Sequence, residues 1–280
     1  MAGHTFVVSG FADEIDADLE TQLDLLERLG IEHLDLRSVE NTNVLDLSDE
    51  QVERVTDALA ERDIGVTSIG SPIGKIDVTD EFEPHFERFE TALEMAQTFE
   101  TAYIRLFSYY IPENERPADY REEVLRRTRR KVERAEAVGI TLLHENEKDI
   151  YGDTPERCRD LLTAIDSPNF RAVFDPANFL EIGSTPYPDA LLQLVEFVDQ
   201  LHIKDATAGE RASIVPAGEG DGRIPETLAA LQARGFEGPV SLEPHLAIAG
   251  AMSGYSGPEG YEVGAKALVD CLEAVEATSE

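Results

Sequence analysis

Four short apolar runs in the second half of the chain each carry, at or near their end, a side chain able to ligate a metal. Thr141-Leu-Leu-His-Glu145 ends in Glu145, Arg171-Ala-Val-Phe-Asp175 in Asp175 and Val240-Ser-Leu-Glu243 in Glu243, while Gln200-Leu-His202-Ile-Lys-Asp carries His202. Three carboxylates and one imidazole suit a single divalent ion, manganese first, with magnesium, cobalt or zinc as alternatives. If the runs are neighbouring parallel strands, the four groups meet at one spot. Taken singly, each has a plainer reading. Asp175 precedes Pro176 and could simply cap a helix. A lone strand histidine is more often packed than ligating. Glu243, before Pro244, would be costly to bury without a cation. The joint placement favours the metal.

The elements that must position these groups are legible as a pattern. Apolar runs near 5–10, 32–37, 64–70, 102–107, 140–145, 170–175, 199–204 and 239–243 alternate with amphipathic stretches. Leu19, Leu23, Leu26 and Leu29 mark one face of the first stretch, at helical spacing. Gly30, Gly139 and Gly235 fall where helices should end in a left-handed residue. Ser48 with Gln51, and Ser256 with Glu259, have the spacing of capping boxes, and Pro117, Pro155 and Pro258 fit first helical turns. Eight β–α units without a linker predict one domain over 1–280, a single (β/α)8 TIM barrel of α/β class. A doubly wound sheet would want a glycine-rich phosphate loop after the first strand, and Ser9-Gly-Phe-Ala-Asp-Glu14 offers none. In a barrel, residues at strand C-termini are the ones that do chemistry.

Charge narrows the partners. The chain has 57 acidic and 24 basic residues, a net of -33. That excludes the basic footprint that nucleic acid or an anionic membrane surface requires. Apolar residues still make up 42%, enough for a packed core. Only five lysines occur, Lys75, Lys131, Lys148, Lys204 and Lys266. High acidity with little lysine is expected of a halophilic protein, whose surface repulsion molar salt screens. Cys158 and Cys271 stand alone on predicted helices, which fits a reduced cytoplasmic setting rather than a disulfide framework. No apolar stretch approaches a membrane span. Self-association is left open.

The chain resembles the sugar phosphate isomerase/epimerase group of the xylose isomerase-like TIM barrels, nearly end to end. The most specific stretches are His144-Glu-Asn-Glu-Lys-Asp-Ile-Tyr-Gly152, Phe174-Asp-Pro-Ala-Asn178, His202-Ile-Lys-Asp205, Pro216-Ala-Gly-Glu-Gly-Asp221 and Leu242-Glu-Pro-His245. The resemblance implies a divalent metal, often manganese, on Glu145, Asp175, His202 and Glu243. Four protein ligands leave an octahedral ion two open positions for a carbonyl and a neighbouring hydroxyl of a carbohydrate, favouring loss of the proton between them. Glu145 and Glu243 are the candidate acid–base pair. Proton return to the opposite face gives epimerisation; return to the next carbon gives aldose–ketose isomerisation. Loss of a β-hydroxyl, as in inosose dehydration, needs the same machinery, and a silent sugar-binding barrel is the non-catalytic alternative. The chain departs from the ketose 3-epimerases of that superfamily in two places. Asn178 stands where they have histidine, and Tyr151 where a second acid follows the first ligand.

Further candidates for substrate contact are Lys75, Arg105, Lys204, Asn178 and His245, with Arg37 and Tyr109 as other side chains of the same face. Lys204 is two residues from His202, which in a strand puts both on one face. Lys75 follows Ser71-Pro-Ile-Gly74. A compact ammonium can hold a sugar oxygen, a phosphate or a developing enediolate. The Gly218-Glu-Gly-Asp221 stretch reads as a turn.

Overall fold

Eight parallel strands form the barrel wall in a computed structural model that describes residues 6–209, 213–246 and 256–279. They are β1 (Val7–Gly10), β2 (His33–Leu36), β3 (Gly65–Ile69), β4 (Tyr103–Leu106), β5 (Thr141–Glu145), β6 (Phe170–Phe174), β7 (Val198–Ile203) and β8 (Pro239–Leu242). Each falls within a residue or two of an expected run; only the start of the first, at residue 5, lies outside the described residues. The hydrogen-bonded order is β1-β8-β7-β6-β5-β4-β3-β2. Interior side chains tie the two end strands together: Ser9 Oγ of β1 donates to Asp35 Oδ2 of β2 at 2.8 Å. Gln200 Nε2 of β7 reaches across to Asp35 Oδ1 at 2.7 Å.

The helices follow the amphipathic stretches: α1 (Leu19–Leu29), α2 (Asp49–Glu61), α3 (Phe82–Thr98), α4 (Pro117–Glu136), α5 (Pro155–Ile165), α6 (Pro176–Glu181), α7 (Leu191–Leu194), α8 (Ile224–Gln232) and α9 (Gly257–Ser279). Their apolar stripes explain the packing. Leu19, Leu23, Leu25 and Leu26 of α1 are buried, while Glu20 and Glu27 stay in water. Gly30 closes α1 in the left-handed conformation, and Ser48 with Gln51 completes a capping box on α2. Ser256 precedes α9, but its hydroxyl serves the loops. It donates to Glu14 Oε2 at 2.6 Å and accepts from the Leu246 N–H at 3.0 Å. Cys158 and Cys271 are buried, free thiols on α5 and α9. Among the described residues no helix is long and apolar enough to cross a membrane.

The alternation of strand and helix places every strand C-terminus at one end of the barrel. The loops there are pinned by specific contacts. Gly74, at φ +95°, lets the turn after β3 lie against Phe107, whose carbonyl oxygen would be 2.0 Å from any added Cβ. That turn holds Lys75 over the Phe107 ring at 4.3 Å. The Gly218–Gly222 stretch is not loose. The buried Asp205 carboxylate accepts N–H groups from Ala206, Gly218, Gly220 and Gly222 at 2.8–3.1 Å. A Cβ at Gly220 or Gly222 would strike that carboxylate at 2.4–2.5 Å.

Candidate metal centre

β5, β6, β7 and β8 are consecutive in the sheet, so their C-terminal residues come together. Glu145 is the last residue of β5, Asp175 and Glu243 directly follow β6 and β8, and His202 is the penultimate residue of β7. One donor atom from each lies within 4.8 Å of the other three, and all four residues are buried. His202 Nδ1 faces three oxygens: Glu145 Oε1 at 3.2 Å, Glu243 Oε2 at 3.4 Å and Asp175 Oδ2 at 3.9 Å.

The surroundings hold these candidate ligands in place. Arg105 Nη1 is 3.2 Å from Glu145 Oε2, and its Nη2 donates to the Gly70 carbonyl at 3.0 Å. The Arg105 guanidinium lies 5.2 Å from the Phe11 ring centre and 5.0 Å from that of Phe107. Asn178 donates to Glu145 Oε1 at 3.3 Å and to the Asn146 carbonyl at 2.9 Å. Asn146 and the Asp175 backbone exchange two hydrogen bonds, at 2.9 and 3.0 Å. Asp175 caps the helix that follows it, as its place before Pro176 suggested. Its Oδ1 caps α6 at the Asn178 N–H, 3.0 Å away, leaving Oδ2 for the centre. Lys204 Nζ stands 2.7 Å from Asp175 Oδ2 and 3.5 Å from Glu243 Oε2. Arg37 Nη1 donates to Glu243 Oε1 at 2.8 Å, while its Nε reaches Asp13 Oδ2 at 2.8 Å.

The electrostatics are those of a site that wants a cation. Burial disfavours a charged imidazole at His202, yet Glu145 and Glu243 overcome it and push His202 up to about 10. Burial likewise works against ionised Glu145, but His202 and Arg105 hold it down at about 2. Asp175 is raised to about 6, mostly by burial, with Lys204 opposing. Asp175 Oδ2 and Glu243 Oε2 are buried without a hydrogen bond. Lys204, Arg37 and Arg105 balance part of the charge of these desolvated carboxylates. The donor chemistry and the convergence of the four groups fit a divalent ion.

A cavity of about 240 Å³ opens over this centre. Arg37, Lys75, Arg105, Lys204, Glu145, Glu243 and His245 all line it. Lys75 Nζ there is 3.1 Å from Glu147. Four expected contact residues therefore meet at one mouth. Asn178 is buried behind the ligands and touches Glu145. Tyr109 does not reach the mouth. It is fully buried beside Lys131, Arg127 and His85, because its backbone is drawn inward by the Gly74 and Tyr151 pairings. A larger groove of about 750 Å³ lies at the other end of the barrel, where Arg171 pairs with Asp199. It gathers none of the candidate ligands.

Asp13 and Glu14, just after β1, were not among the expected site residues. Both are buried beside the centre, and the Asp-Glu pair at a strand end was the available signal. They were obscured because they bind Arg37 and His245, residues far away in sequence.

Comparison with known proteins agrees with the fold. The sequence is 25% identical over 207 residues to a 3-dehydroshikimate dehydratase of Bacillus anthracis, covering 68% of this chain and 73% of the relative. A xylose isomerase-like TIM barrel protein of Mycobacterium smegmatis in complex with magnesium superposes with a TM-score of 0.75 at 17% identity, over 97% and 96% of the two chains. A D-tagatose 3-epimerase-like protein gives 0.75 at 19% identity, over 98% and 99%. Residues 23–271 match the sequence profile described as "Xylose isomerase-like TIM barrel". With that match and eight parallel strands in the expected order, the chain belongs to the xylose isomerase-like TIM barrel family.

Proposed function

We propose that this protein is a metal-dependent isomerase or epimerase of a small carbohydrate, acting by removing the proton next to a carbonyl. The observation that carries this reading is the convergence of Glu145, Asp175, His202 and Glu243 beneath a polar cavity that Glu145 and Glu243 both reach. These four residues would hold one divalent ion, manganese first. When bound there, such an ion would supply Lewis-acid stabilisation of negative charge at a substrate oxygen.

The protein's own groups do the rest. Glu145 and Glu243 stand on different strands, so one can take a proton and the other return it from another direction. Arg105 fixes the Glu145 carboxylate through Oε2, and Arg37 fixes Glu243 through Oε1. Lys204 holds a permanent positive charge against the acids and can accept part of the charge that develops on substrate oxygen. Lys75, at the rim, is free to exchange its Glu147 partner for a substrate group, because a half-exposed pair of this kind is weak. The acidic surface fits a small-molecule substrate and a cytoplasmic, non-nucleic-acid role.

A second reading is elimination. The curated relative is named for dehydration of 3-dehydroshikimate, and removal of the same proton followed by loss of a β-hydroxyl would use the same groups. One experiment separates the readings. Keto-sugars, sugar phosphates, inososes and 3-dehydroshikimate are incubated in deuterium oxide with manganese-loaded protein and followed by NMR. Deuterium in a rearranged or epimerised sugar supports the first reading, and loss of water the second. No exchange from any of these substrates would sink both.

A further inference from the structure

Glu243 has two carboxylate oxygens, and they face different donor sets. Oε2 looks toward His202, Lys204 and the centre described above. Oε1 looks toward His245, whose Nε2 is 3.3 Å away. On the other side of His245 Nε2, at 3.2 Å, is Oε1 of Glu14. Glu14 comes from the turn after β1 and is fully buried. Its Oε2 is anchored by the His245 backbone N–H at 2.9 Å and by Ser256 Oγ at 2.6 Å. That leaves Oε1 aimed inward without a hydrogen bond. His245 Nε2 also lacks a hydrogen bond, although both carboxylate oxygens are within reach. The His245 ring thus stands between the two carboxylates, in reach of an oxygen of each.

The geometry points to a second divalent-cation site formed by Glu14, Glu243 and His245, bridged to the first centre by the Glu243 carboxylate. Donor atoms from all three residues lie within 4.8 Å of one another. Two carboxylates and an imidazole suit manganese, cobalt or zinc. Arg37 takes one lone pair of Glu243 Oε1 and leaves the other available. Carboxylate-bridged pairs of this kind sit roughly 3.5–4 Å apart and clamp two oxygens of one substrate. His245 lines the cavity, so the second ion would be open to substrate from that side. The inference rests on reading the first centre as a metal site, because Glu243 is shared.

The test is metal stoichiometry on the full chain. Protein stripped with chelator is titrated with Mn²⁺ and followed by calorimetry and electron paramagnetic resonance. The expectation is about two equivalents per chain, with a spin-coupled signal appearing during the second. Glu14→Gln should bind one equivalent and lose the coupled signal. His245→Gln, which alters a residue at the cavity rim, should do the same and serves if Glu14→Gln fails to fold by circular dichroism. One equivalent in the parent, unchanged in both variants, overturns the second site. No bound metal at all overturns the first centre as well.

Discussion

Glu145 Oε1 and His202 Nδ1 meet at 3.2 Å although 57 residues separate them, one at the end of β5 and the other near the end of β7. The contact marks where the ion is expected. Both side chains are buried, and Glu145 and Glu243 together favour a positive charge at His202.

Removing either acid should stop the chemistry. Glu145→Gln and Glu243→Gln are each expected to lower turnover on the order of 10²–10⁴ while the circular dichroism spectrum stays native. Metal content must be measured on both variants, since both residues are also ligands. Parent-like solvent exchange in metal-loaded variants would contradict the assignment.

The two lysines at the mouth should behave differently. Lys204 is buried against Asp175 and Glu243, so Lys204→Met is expected to lower kcat and leave metal bound, even more tightly once a competing cation has gone. Lys75 stands at the rim over Phe107. Lys75→Met should raise KM with little change in kcat. Identical kinetics for parent and both variants would remove these residues from the site.

Lys131 gives a pH-dependent stability. It is fully buried with no hydrogen bond at Nζ, and burial, then Arg127, push its pKa down to about 7 from 10.5. Below pH 7 the folded protein carries the full penalty of a buried charge. Between about 7 and 10.5 the unfolded chain binds more protons than the folded one, so stability rises with pH. Lys131→Met is therefore expected to raise the melting temperature most at or below pH 7. The gain should shrink toward pH 10.5. A difference that does not vary across that window would show that Lys131 is not buried as a free amine.

Salt should stabilise the fold. A net charge of -33 repels over long distances in dilute buffer and over roughly 3 Å in 1 M salt. Thermal melts from low salt to molar KCl are expected to climb steadily. A flat series would count against a halophilic design.

Local pattern was enough for the barrel. Strand and helix periodicity depend on neighbours a few residues apart, so β2, β5 and α1 could be read directly from their apolar spacing. The four candidate ligands were legible for the same reason: each stands at or beside a strand end, and parallel strands in order bring their ends together. Tertiary structure alone decided what those groups touch. Nothing near Glu14 in sequence announces His245 or Ser256, more than 230 residues away, and nothing near Tyr109 tells that the Gly74 turn draws it off the mouth. Lys204 was placed on the right face by strand alternation, but its burial between Asp175 and Glu243 depends on how β6, β7 and β8 pack. Strand position is a local property of the chain. Charge pairing in a desolvated barrel mouth is set by distances between strands, which only the assembled barrel defines.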